Sequence, residues 1–129
     1  MINRNTTNIN NLYKAMSSGV MNDINYIMST DLILNINKQE ILRDSIKYGF
    51  DVFVTVYSYL KDTKELNGLL IEAIKENKPY IVNYILVNGL DIEGGLNYTK
   101  QINDILMLKQ LYFYGIFDNE SERMIGINN

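Results

Sequence analysis

Apolar residues recur at helical spacing along most of the chain, most clearly in residues 69–93. One stripe holds Leu66, Leu69, Leu70, Ala73 and Ile74, and a second holds Ile81, Val82, Ile85 and Leu86. Each follows the i, i+3, i+4 rhythm of an amphipathic helix. Asn77-Lys78-Pro79 divides the two: Asn ends one helix or caps the next, and Pro is pre-organised for a first helical turn. Asn88-Gly89 closes the second, because Gly takes the left-handed conformation that a helix C-terminus commonly needs. The stretch predicts a helix-turn-helix unit about one structural repeat long.

A shorter motif within it occurs four times: Leu, two residues, a usually small residue, three residues, then Gly or Asn. It reads Leu12 to Ala15 to Gly19, Leu42 to Ser45 to Gly49, Leu70 to Ala73 to Asn77, and Leu108 to Leu111 to Gly115, with starts 30, 28 and 38 residues apart. Spacings of this size predict stacked repeats joined by loops of unequal length. The expected division is one domain over residues 1–129, with units at roughly 8–36, 37–62, 63–97 and 98–129.

Each motif is followed by a second apolar segment, as a helix pair requires. Met21, Ile24, Ile27 and Met28 lie at helical spacing after Gly19. Residues 50–60, FDVFVTVYSYL, are so rich in β-branched and aromatic side chains that composition alone reads them as a strand. The repeat register reads them as a helix with Asp51 as a possible N-cap. After Gly115, Asp118 is a plausible N-cap for a short, polar last helix of the kind that caps a stack. Asn37-Lys-Gln-Glu40 and Asp62-Thr-Lys-Glu65 have the form of capping boxes ahead of first helices. The segments at 29–37 and 90–99 read as connectors, the second turning at Gly94-Gly95.

These residues together resemble the ankyrin repeat family. Its small-residue pair, turn, outer helix and closing Gly-Ala-Asp-Val are matched by Ala73-Ile74, Asn77, the run Ile81 to Leu86, and Gly89-Leu90-Asp91-Ile92. Residues 15–28 match less closely, and the other two units poorly. The family's Thr-Pro-Leu-His start is missing, since the chain has no His and its single Pro is Pro79. The resemblance implies an all-α fold, an ankyrin-like solenoid of stacked short helix pairs. A plain antiparallel array of HEAT-like or tetratricopeptide-like pairs is the competing architecture. The resemblance also implies a protein partner, bound where each first helix ends: Ser17, Ser18, Lys47, Tyr48, Lys75, Glu76, Phe113 and Tyr114. Aromatic side chains dominate interface energies, so Tyr48, Phe113 and Tyr114 are the expected anchors, with Lys47 and Lys75 steering. Each has a plainer reading: Tyr48 lying over the next repeat, Phe113 in the core, the lysines as solvated charges, and Met16, Met21 and Met28 as core fillers.

Composition narrows the function. A net charge of −3 over 129 residues offers no basic stripe for nucleic acid. No apolar run nears the ~20 residues of a membrane helix, and the start MINRNTTNINN lacks the order of a secretion signal, so a cytoplasmic protein is expected. With neither His nor Cys, the usual groups for neutral-pH catalysis and for zinc are missing. No enzyme activity, metal or other cofactor is expected. Asp91 and Glu93 beside Gly94-Gly95 read as a solvated turn rather than a calcium loop, and the Asn-X-Ser/Thr triplets as chance. Asn and Ile each occur 18 times, which fits an A/T-rich genome such as that of a virus or protist. The expected function is binding that masks or inhibits another protein, a host-directed inhibitor acting in host cytoplasm if the source is viral. The chain is expected to be a monomer or weak homo-oligomer. A self-associating structural subunit that uses the apolar face of residues 50–60 is the alternative.

Overall fold

The computed structural model describes residues 4–30, 36–62, 68–90 and 92–127 of the chain. All regular structure among them is helical: α1 (Arg4–Ser18), α2 (Met21–Met28), α3 (Lys38–Ile46), α4 (Phe50–Leu60), α5 (Leu69–Lys75), α6 (Pro79–Val87), α7 (Gly95–Gln101), α8 (Ile105–Phe113) and α9 (Asn119–Met124). The all-α expectation holds, and residues 50–60 are helix. Val52, Phe53, Val56 and Leu60 of α4 are buried along one face, so packing overrides the strand propensity of its side chains. Those four side chains belong to the core, while Phe50 at the start of the helix is 41 % exposed. Asp51 is not the cap of α4: Gly49 holds that place and Asp51 lies in the first turn, where a carboxylate complements the helix dipole.

The chain divides into two compact units, Met1–Leu66 and Asn67–Asn129. In the first, α1 packs on α2, α3 on α4, and α2 on α4. Two polar clasps join its helix pairs. The Tyr13 hydroxyl of α1 donates to the Asp44 carboxylate of α3, and Tyr59 of α4 donates to Asn25 Oδ1 of α2 at 2.9 Å. In the second unit α5 packs on α6, α7 on α8, α5 on α7, and α8 on α9. There Tyr114, at the end of α8, donates to Asn83 Oδ1 of α6 at 2.6 Å. Both units thus repeat one device, a tyrosine late in the later second helix bonded to an asparagine in the earlier one.

Several helix ends share a single chemistry. At the end of α5, the Asn77 N–H donates to the Ile74 carbonyl and the Lys78 N–H to the Ala73 carbonyl, the paired bonds of a Schellman motif. It requires positive φ at the fourth residue after Ala73, and Asn77 supplies it at 55°. The same bonds join Gly19 to Met16 and Val20 to Ala15 at the end of α1, and Asn103 to Lys100 and Asp104 to Thr99 at the end of α7. The residue whose carbonyl takes the longer bond is small and buried in each of these three helices: Ala15, Ala73 and Thr99. Pro79 opens α6 at its first position, as its fixed φ suits.

Two expectations about boundaries need correction. Residues 95–101 are helix α7 rather than connector. Gly95, its first residue, is buried so tightly that a Cβ there would fall 2.3 Å from Leu70 Cδ2. The Leu108 to Gly115 motif is not the first helix of a pair: it lies in α8, which packs back on α7. Counted from the turns, α5–α6 repeats as α7–α8 after 26 residues, with Ala73, Asn77, Ile85 and Gly89 recurring as Thr99, Asn103, Leu111 and Gly115. Among the helix starts, Asn37 caps α3 by accepting the Glu40 N–H at 3.1 Å, and Asp118 and Ser121 form a full capping box on α9. Residues 63–67, which include most of the second expected capping box, lie outside the described residues.

Ala73 has no exposed surface, so an arginine in its place buries a guanidinium without a partner at a cost of several kcal/mol, comparable to the whole stability of a domain. The expected outcome for Ala73→Arg is loss of cooperative melting of the second unit, followed by circular dichroism. A wild-type melting curve contradicts the register.

Candidate functional site

A first helix that buries one small residue next to its turn leaves the last residues before that turn facing outward. Ser17 and Ser18 end α1, and both are exposed. Lys47 caps α3 and is exposed, while the neighbouring Tyr48 is half-buried with its ring 5.7 Å from the Lys47 ammonium. One turn below, the Tyr13–Asp44 bond holds α1 and α3 together. Burial pushes the Tyr13 phenol well above its usual pKa, and the Asp44 carboxylate that accepts its proton adds to the shift. The donor therefore keeps its proton throughout the neutral range, and the helices that carry Ser17-Ser18 and Lys47-Tyr48, the row expected from the sequence, are tied together at that point.

The second unit has a corresponding row. Lys75 ends α5 and Glu76 caps it, both exposed. The Lys75 ammonium stands 5.4 Å from the centre of the Tyr98 ring on α7, an attraction worth about 0.5–1 kcal/mol at an exposed site. The repeat register puts Gln101 and Ile102 beside them at the end of α7. Ile102 is 45 % exposed; sequence reasoning missed it because it took residues 90–99 for a connector.

Phe113 and Tyr114 do not join this row. They end α8, a second helix, and so belong to the opposite member of their pair. Phe113 is not core either: at 84 % exposure it is the most exposed large apolar side chain among the described residues. Tyr114 is bound to Asn83 and meets the Phe113 ring edge-on at 5.8 Å between centroids. The methionines divide, with Met16 and Met28 in the core and Met21 half-buried, its sulfur accepting from the Thr55 hydroxyl at 3.8 Å.

Other polar side chains join or cap helices. Lys100 on α7 meets Asp118, the cap of α9, at 2.5 Å. That hydrogen bond raises the Lys100 pKa, and together with the Ser121 N–H it lowers the Asp118 carboxyl. Of the Asn-X-Ser/Thr triplets, two carry buried hydroxyls: Thr99 donates to the Gly95 carbonyl at 2.7 Å and Ser121 closes the α9 capping box. A shallow depression of about 440 Å³ lies on α1–α2, edged by Lys14, Ser18, Asp23 and Tyr26. Among the described residues no group of three or more carboxylates is placed to hold a metal ion, and no helix is long and apolar enough to cross a membrane. Asp91 lies outside the described residues. Comparison of the chain with protein-family models, curated proteins and solved structures finds no match.

The Lys100–Asp118 contact has a defined pH window. A lowered carboxyl contributes stability above its unfolded value near ~3.9 and loses it as pH falls through the folded value; a raised ammonium contributes below ~10.4 and loses it as pH rises through the folded value. The expected outcome is that the urea midpoint of the wild type exceeds that of Lys100→Met near neutrality. The difference should fade below about pH 4 and above about pH 10. A difference constant with pH contradicts this role.

Proposed function

We propose that this chain is a protein-interaction module built as a short ankyrin-like stack, which binds a partner protein and masks or inhibits it. The observation that carries the reading is the division of labour on the first helices. Ala15, Ser45 and Ala73 are buried, whereas Ser17-Ser18, Lys47-Tyr48 and Lys75-Glu76, two and three residues further on, reach the surface. Packing thus requires a constant residue type at the small position and leaves the following pair free to differ from repeat to repeat, which is what a recognition surface needs. The mixture there of aromatic, cationic and small polar groups suits contact with another protein, an aromatic supplying buried area and lysines supplying steering.

The ankyrin resemblance adds direction. A small stack with no catalytic His or Cys acts by occupancy, covering a surface that another molecule needs. In a virus, such a protein is a host-directed inhibitor working in host cytoplasm.

The expected outcome of affinity capture from the native host is a specific partner that the Lys47→Glu/Tyr48→Ala variant retains at least about tenfold less well. Circular dichroism checks that the variant is folded. Undiminished capture by the folded variant overturns the assignment of the binding row.

A further inference from the structure

Asparagine is abundant in this chain, and its amide is a thermally labile group that the backbone of the next residue can attack. The attack needs the following nitrogen to reach Cγ, so a following side chain shields it and a following glycine does not. Among the described asparagines only Asn88 is followed by glycine. Asn88 and Gly89 are both exposed, and nothing stands within 4 Å of the place a Gly89 Cβ would take. Water and solvent bases therefore reach both reacting groups.

The end of α6 holds those groups apart. Asn88 caps the helix at φ −91° and ψ 1°, a ψ that turns the Gly89 nitrogen away from the Asn88 side chain. Three hydrogen bonds keep it there. The Gly89 N–H donates to the Leu86 carbonyl at 3.2 Å and the Leu90 N–H to the Ile85 carbonyl at 3.0 Å, while Asn88 Nδ2 donates to the Tyr84 carbonyl at 2.8 Å. Ring closure between Gly89 N and Asn88 Cγ requires the cap to come apart, and such fraying is a local opening rather than loss of the whole fold.

We propose that Asn88 is a modification site, converted to aspartate or isoaspartate when the last turn of α6 opens, and that the conversion weakens that turn once it closes again. In the open turn the Gly89 nitrogen gives up its proton and bonds to Asn88 Cγ. The Cγ–Nδ2 bond breaks, and Nδ2 leaves with that proton as ammonia. Water then opens the cyclic imide. Addition at Cγ yields aspartate, and addition at the main-chain carbonyl carbon yields isoaspartate, with one water consumed, one ammonia released and no oxidation. Either product removes the donor to the Tyr84 carbonyl and sets a carboxylate at the negative end of the helix dipole. Isoaspartate also adds a carbon to the main chain, which moves the Gly89 and Leu90 N–H groups off the carbonyls of the Schellman turn.

Peptide mapping by mass spectrometry tests the proposal on the full chain held in mildly alkaline buffer at body temperature, either folded or unfolded in guanidinium chloride. Mapping also separates Asn88 from Asn67, which precedes Gly68 and lies outside the described residues. The expected result is that both products accumulate at Asn88 in the unfolded chain and form about tenfold or more slowly in the folded one. The slowing should still be far smaller than the folding equilibrium constant, because only the last turn has to open. Asn88→Asp should unfold at a lower urea midpoint than the wild type. Absence of conversion at Asn88 in the unfolded chain overturns the site. Equal rates in the two samples, or slowing as large as the folding equilibrium constant, overturn control by the helix end, and a wild-type midpoint for Asn88→Asp overturns the weakening.

Discussion

The packing of α1, α5 and α7 against their neighbours depends on one small residue whose carbonyl receives the long bond of the helix-ending turn. The Schellman bonds fix where the chain reverses, and the reversal fixes which residue lies closest to the adjoining helices. At Ala15, Ala73 and Thr99 that residue has at most two side-chain carbons and is buried. A leucine in its place would hold the helices apart and open voids along the stripes that now touch. Gly95 meets the same demand from the other end of α7, where only a residue without a side chain admits Leu70.

Hydrophobic burial alone leaves the angle between successive pairs loosely set, and directional polar bonds narrow it. Tyr59 to Asn25 in the first unit and Tyr114 to Asn83 in the second join second helix to second helix, while Tyr13 to Asp44 joins first helix to first helix. Each carries its apolar ring into the contact and leaves a hydroxyl for the neighbour, the usual part of a tyrosine at a half-wet boundary. A surface row built on such clasps is preorganised and loses less entropy when something binds it. That links the internal tyrosines to the proposed role of Lys47, Tyr48 and Lys75 without placing most of them in contact with a partner.

Much of the fold was legible in the chain. The α5–α6 pair, the Pro79 start, the Asn37 and Asp118 caps and the small residues at 15, 45 and 73 all followed from spacing and turn chemistry. The misreading of the fourth unit has a specific cause. Every helix from α5 to α9 ends in the same Schellman bonds, so the four-residue step from Leu111 to Gly115 matches the step from Ala73 to Asn77 although one closes a second helix and the other a first. Residue size separates them, because only first helices need a small residue there. Helix α7 was hidden for a related reason: Gly95, Asn97, Tyr98 and Thr99 are poor helix formers taken singly, and what holds them is burial of Gly95 and Thr99. Phe113, with one face toward Tyr114 and the rest in water, could not be placed inside or outside until its helix was assigned to the second position of a pair.

Thr99 is the position where the register read from the structure parts from the one read along the chain, and urea unfolding of Thr99→Leu beside Thr99→Ala tests it directly. The Thr99 hydroxyl bonds to the Gly95 carbonyl of its own helix at 2.7 Å, so alanine should change stability by no more than about 1 kcal/mol. Leucine overfills a site that must stay small and should lose about 1–3 kcal/mol or more. A Thr99→Leu protein as stable as the wild type would contradict the account.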